Sequence, residues 1–177
     1  MTRLGNAIAF CALLGLPVPA MAGVPAQVLS VTGDVSIVHA DTGAQEAAAA
    51  EATLAEGDYI ATGDGAQISV EIDGQAIHLE ARTQLRVVDL DAGNVELQVA
   101  AGVVDVTSAA GKGATIDTPT ATIRPVRAGT YRVSVSGGGQ TAVSAGSGSV
   151  TIDGPSGTQT VTPGSSVVAV LGEASFT

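Results

Sequence analysis

The sequence predicts an all-β fold, built as a solenoid-like stack of short strands and hairpins, with a β-sandwich or jelly roll as the alternative. Three observations lead there. Apolar and polar residues alternate in short runs, most clearly where Ile68, Val70 and Ile72 interleave with Ser69, Glu71 and Asp73. The 23 glycines close such runs at short intervals, and no long stretch carries the period of a packed helix. Aromatic residues are only 2% of the chain while hydrophobic residues are 45%, so the core is aliphatic. Val, Ile and Leu stack in ladders from rung to rung, which favours the solenoid over a sandwich packed around large rings.

Residues 1–22 are a different material from the rest. Arg3 gives a positive start, Ala7 to Leu16 an apolar run, and Ala20-Met21-Ala22 the small residues that a signal peptidase reads. The run is broken by Gly15 and Pro17 and falls short of the ~20 residues that cross a bilayer. A signal peptide over 1–22 is expected, with residues 23–177 forming a single β-domain in the periplasm or outside the cell, without stable membrane insertion. Cys11 is the only cysteine; Phe10 before it and its early position argue against a lipid-modified site, so the mature chain enters an oxidising compartment with no disulfide.

In chain order, Gln27 to Ala40 reads as two strands joined in a hairpin-like unit at Thr32-Gly33-Asp34. Residues 41–56 are rich in Ala and Glu but lack an apolar stripe, which predicts a solvated excursion rather than a packed helix. From Glu56 to Leu85 the pattern is a β-hairpin turning at Asp73-Gly74, a pair suited to the positive φ angles of a tight turn. Strands are expected over 84–91 and 94–100 around an Asp91–Asn94 turn, then from Val103 to Thr107, then in short beats to the end. Gly137-Gly138-Gly139 and Gly146-Ser147-Gly148 read as hairpin tips. The echo of VEIDG at 70–74 in VTIDG at 150–154 suggests similar turns closing different rungs.

Charge excludes one class of partner: 17 Asp and Glu against 7 Lys and Arg oppose nucleic acid or an anionic membrane surface. The residues that could carry chemistry read as ordinary. His39 and His78 would need carboxylates such as Asp41 and Glu80 to hold zinc, and His78, between Ile77 and Leu79, points to the outward face. Asp89, Asp91 and Asn94 suggest a calcium loop, but Gly93 and Ala100 stand where oxygen ligands are required. The serines sit in plain Gly-Ser turns rather than beside a base, and no helix follows the glycine-rich stretches to bind phosphate. No catalytic residue, metal or cofactor is therefore expected. The grouping of Arg124, Arg127 and Arg132 on an acidic protein is the one distinctive charge feature, either paired with strand carboxylates or open to a partner.

The series VLSVTGDVSI, LAEGDYIATGDGAQISVEIDGQAIHLEARTQL, VELQVAAGVVDV, IDTPTATIRPVRAGTYRVSV, GSVTI and VTPGSSV resembles the FecR domain over nearly all of Gln27 to Val170. The positions that match are Gly57, Asp58, Ile60, Thr62, Gly63, Asp73, Gly74, Thr118, Pro119, Gly129, Thr130 and Tyr131. The resemblance implies an all-β, solenoid-like module of the kind found in the periplasmic part of regulators that relay an iron-siderophore signal to a sigma factor. The chain shows no cytoplasmic sigma-binding segment and no transmembrane helix, so a freestanding exported domain is expected. Its function is then non-enzymatic: a protein-interaction or envelope signalling and sensing module whose partner is a protein of the envelope. Pairing at a sheet edge, near Val28 or Val168, or contact through the arginines would mediate it. The alternatives are a self-associating structural component of the envelope or matrix, and a carbohydrate-binding β-helix, which the lack of aromatic platforms disfavours.

Overall fold

The computed structural model describes residues 23–109 and 113–169; the expected signal peptide over 1–22 lies outside them. No helix forms among the described residues, and none is long and apolar enough to cross a membrane. The strands are β1 (Ala26–Thr32), β2 (Val35–Val38), β3 (Gln45–Ala47), β4 (Tyr59–Thr62), β5 (Gln67–Ile72), β6 (Gln75–Leu79), β7 (Gln84–Asp91) and β8 (Asn94–Ser108). They continue as β9 (Thr115–Asp117), β10 (Thr122–Arg127), β11 (Gly129–Val135), β12 (Thr141–Ala145), β13 (Ser149–Gly154), β14 (Gly157–Val161) and β15 (Ser166–Ala169). The fold is all-β.

The strands form two sections joined by the long β8. The first runs β1-β5-β6-β8-β11-β12-β15 and contains the later half of β8. The second runs β3-β2-β4-β7-β8-β9-β10-β13-β14 and contains its earlier half. Strand order across each section follows chain order almost throughout, so the chain advances from one end of the stack to the other as it passes between sections. Every pairing among the described residues is antiparallel except β8 with β9. The sheet does not close on itself.

Alternation explains the core. In β5 the residues Ile68, Val70 and Ile72 are buried and in β6 Ile77 and Leu79, while the second section contributes Ile37, Ile60, Leu85, Leu97, Ile123 and Ile152 to the same apolar cluster. Each such side chain contributes roughly 1.5–3 kcal/mol on full burial, and Tyr131 is the one ring buried in the core among the described residues. One apolar face of each section is thus used up in a shared core, and the polar alternates of both sections face water.

β8 changes section at Gly102, whose φ of +98° belongs to glycine. A Cβ there would lie 2.3 Å from Thr83 Cα. Buried Thr83 holds the bend, its hydroxyl taking the Val103 N–H at 3.0 Å, while its own N–H donates to Thr62 Oγ1 at 2.8 Å. The Thr62 hydroxyl donates in turn to the Glu80 carbonyl at 2.6 Å.

The Asp73-Gly74 hairpin forms as expected, with φ of +50° and +73° at the two turn residues. Gly137 to Gly139 form the tip between β11 and β12, also as expected. Other local expectations need correction. β1 and β2 do not pair: Gly33 carries the chain out of the first section into the second, where β2 meets β3 and β4. Residues 41–56 are mostly exposed but include the short strand β3 and a bridge from Thr53 to Gln27. Val103 to Thr107 continues β8 rather than starting a strand. Gly146-Ser147-Gly148 is a crossing between sections, not a hairpin tip. The VTIDG echo also differs in role, because Asp153 and Gly154 lie inside β13 and the chain turns at Pro155-Ser156.

Candidate interaction surface

The motif residues singled out in the sequence are spread along the stack as joints. Asp58, 1% exposed, accepts hydrogen bonds from the backbone N–H groups of Ala40 and Ala55, each at 3.0 Å, and fixes two loops. Its neighbour Gly57 has φ of +87°. Gly63 donates its N–H to the Asp34 carbonyl at 2.8 Å, and Thr62 belongs to the Thr83 network at the bend. Asp73 and Gly74 turn the β5–β6 hairpin. Thr118 accepts from the Ala121 N–H at 3.0 Å and from the Thr141 hydroxyl at 2.8 Å, tying the loop before β10 to the other section; Pro119 follows it. Gly129 lies so close to Ser147 that a Cβ would sit 2.2 Å from its carbonyl oxygen. Thr130 donates its N–H to Ser147 Oγ at 3.0 Å, and Tyr131 is 3% exposed.

The three arginines do not form one patch. Arg124 is on the outward face of β10 in the second section and pairs with Asp153 of β13. Arg127, also exposed, ends β10, where a register shift follows Pro125. Arg132 is on the outward face of β11 in the first section. Its Nε donates to Asp105 Oδ1 at 2.8 Å and its Nη2 to Asp105 Oδ2 at 2.6 Å and Glu80 Oε1 at 2.5 Å. The Asp105 carboxylate foremost, with Glu80 beside it, raises the Arg132 pKa above its already high ordinary value. This guanidinium is therefore a fixed, permanent charge.

Register places Arg132 in a continuous polar row across the first section. Ser30, Ser69, His78, Asp105, Arg132, Ser144 and Ser166 are successive cross-strand partners on all seven strands. At the ordinary interstrand spacing the row is roughly 29 Å long. Ser69 Oγ and His78 Nδ1 are 3.0 Å apart. Asp105 sits opposite His78 but is engaged on both oxygens by Arg132, so the three residues do not form a nucleophile, base and orienting carboxylate in sequence. A depression of about 370 Å³ opens beside Arg132, lined also by Asp105, Thr107, Thr130, Ser144 and Gly146. What the row can do is recognition: it offers donors, acceptors and one anchored cation on a rigid sheet. Sequence reading found Arg132 but not the row, because its members are brought together only by long-range pairing.

The two histidines are far apart in the topology, His78 on β6 and His39 just after β2. His39 instead lies between two carboxylates, with Nε2 3.0 Å from Glu46 and Nδ1 3.0 Å from Asp58. Those hydrogen bonds, the one to Glu46 first, raise its pKa above the usual 6.5. Neither Asp41 nor Glu80 is its partner. Among the described residues Glu56, Asp89 and Asp91 are the one set of three carboxylates close enough to share an ion, and they are largely exposed. On the second section's outward face Glu96 has a raised pKa, chiefly through a hydrogen bond with Asp117, with burial and the charges of Asp117 and Asp89 adding to it and Arg124 opposing.

A family model described as FecR protein matches residues 58–151. Two crystal structures of a proposed anti-sigma factor from Parabacteroides distasonis share the fold with a TM-score of 0.56, at 22% and 21% identity. Each match covers 62% of this chain and 53% of that one, so the chain spans about half the length of the structures it matches. No curated protein sequence matches it.

Proposed function

Because the chain belongs to the FecR family, we propose that it acts, after export, as a non-enzymatic interaction domain in envelope signalling or sensing, and that its partner protein docks on the outward face of the first section around Arg132. The observation that carries this reading is the seven-strand polar row with a guanidinium held in place by Asp105 and Glu80. A charged group already ordered in the free protein loses little side-chain freedom on binding, and Arg is a frequent anchor at interfaces. Arg132 Nη1 has no protein partner among the described residues and is available to a carbonyl or carboxylate of the partner.

A sugar-binding role finds no support on this surface. Tyr131 is buried and Tyr59 half-buried, so no aromatic ring among the described residues offers a platform. The test is affinity capture from envelope extract with immobilised wild-type protein, Arg132→Ala and Arg124→Ala. A protein retained by wild type and by Arg124→Ala, but lost with Arg132→Ala, supports the reading. Equal retention by all three, or none by wild type, overturns it.

A further inference from the structure

The two ends of the stack are finished differently. At the starting end the outer edge of β1 is occupied: Val28 donates to the Ala52 carbonyl and accepts from Glu51 N–H, both at 2.8 Å, and the Ala26 carbonyl accepts from Leu54 N–H at 3.0 Å. A register shift at Leu29 further disrupts that edge, and β3, the edge of the second section, is three residues long and carries Glu46. These are the devices by which proteins keep sheet edges from pairing. Among the described residues the far end has no bulge and no charge of this kind. β14 pairs only with β13 and β15 only with β12 among the described residues, and residues 154–169 contain no charged side chain. Val168 is 54% exposed on β15, and every residue of β14 before Val161 is exposed.

We infer that the β14 and β15 edges are where a second copy of this chain pairs, end to end, in a twofold dimer. A β-edge demands a strand as its partner, since only a strand supplies a matching row of N–H and C=O groups. The chain carries a formal charge of −10, so two copies repel wherever their acidic surfaces meet, and the uncharged end is where they approach with least opposition. A twofold axis normal to the sections sets β14 against β14 and β15 against β15, both antiparallel, which extends both sections and the core at once. The protected β1 edge stops growth at the dimer, so the contact closes rather than propagating into a fibre.

The experiment is sedimentation of purified protein across a concentration series, comparing wild type with Gln159→Lys/Val168→Lys and with Leu29→Lys. At a twofold contact each added lysine lies near its own copy, so the double variant dissociates at a concentration at least tenfold higher than wild type, while Leu29→Lys leaves the dimer unchanged. A second measurement covers variants that fold poorly: on a Cys11→Ser background, Thr158→Cys, Gln159→Cys and Thr160→Cys are oxidised separately. At least one gives a disulfide-linked dimer, and Leu29→Cys gives none. A monomeric wild type, a dimer indifferent to the two lysines, or cross-linking at residue 29 and at none of the three β14 positions overturns the inference. Partner capture through Arg132 is a separate face and a separate assay, so either result stands without the other.

Discussion

Asp58 Oδ2 lies 3.0 Å from His39 Nδ1 across 19 residues of sequence, and the same carboxylate holds the Ala40 and Ala55 N–H groups. One buried side chain thus fixes the turn after β2, the loop before β4 and the orientation of an imidazole. Replacing it by alanine strands those donors together, and Asp58→Ala is expected to cost about 2–3 kcal/mol, a buried unsatisfied donor being the main term. Urea unfolding monitored by circular dichroism measures the loss. An unchanged midpoint would show that water replaces the carboxylate.

The same contact predicts a pH dependence. His39 has its folded-state pKa raised by Glu46 and Asp58. Its stabilisation is complete below the ordinary imidazole value and is lost as pH rises through the higher folded-state value. The urea midpoint of wild type is therefore expected to fall on going from slightly acidic to mildly alkaline solution, and His39→Gln to remove that part of the fall. A variant that keeps the full slope assigns the titration to another group.

Glu96 carries the complementary expectation. Its raised pKa, set chiefly by Asp117, means that ionisation opposes folding as pH rises through the carboxylate range toward the folded-state value. Glu96→Gln removes that repulsion, so thermal stability near neutrality is expected to rise slightly, with no gain at a pH below the usual carboxylate value. The difference between the two melting curves tests this, and a loss of stability at neutral pH contradicts it.

Gly102→Ala is expected to be among the most damaging single substitutions, at about 3 kcal/mol or more, because it adds left-handed backbone strain to a collision with Thr83. Gly74→Ala, also at positive φ but with nothing within 4 Å of the added carbon, is expected to cost about 1 kcal/mol. Paired chemical denaturation curves separate strain alone from strain plus collision.

Arg132→Ala removes two ion pairs whose members are one-third to one-half exposed, so its effect on folding is expected to stay within about 1 kcal/mol. Loss of partner capture with an intact melting curve would separate recognition from stability, and a collapse of the fold would place Arg132 among the structural residues.

The hairpin over β5 and β6 was readable because its information is local: Ile68, Val70 and Ile72 alternate, and Asp73-Gly74 accepts the dihedrals of its turn. Where the chain changes section, local signals mislead. Gly33 and Gly146 to Gly148 look like hairpin turns, yet what decides between a hairpin and a crossing is which distant strand has an edge to fill, as β5 does for β1. Arg132 stood out by composition and His78 was correctly placed on the outward face by its apolar neighbours. Their common row with Asp105 required the β6–β8–β11 register, a product of pairings between residues dozens of positions apart.

The bend in β8 also shifts the reading frame of burial. Before it the odd-numbered Val95, Leu97 and Val99 face the core, and after it the even-numbered Val104, Val106 and Ser108 do. Gly102 is thus a parity switch, and β6 and β11, which pair with β8 beyond the bend, follow the parity it sets. Loss of one residue between Asn94 and the bend would not be absorbed locally: it would either drive Leu97 and Val99 outward or turn Asp105 inward, taking Arg132 with it. An exposed turn such as Gly137 to Gly139 can be lengthened at little cost in free energy, but the length of β8 is fixed to the single residue by the two parities it joins.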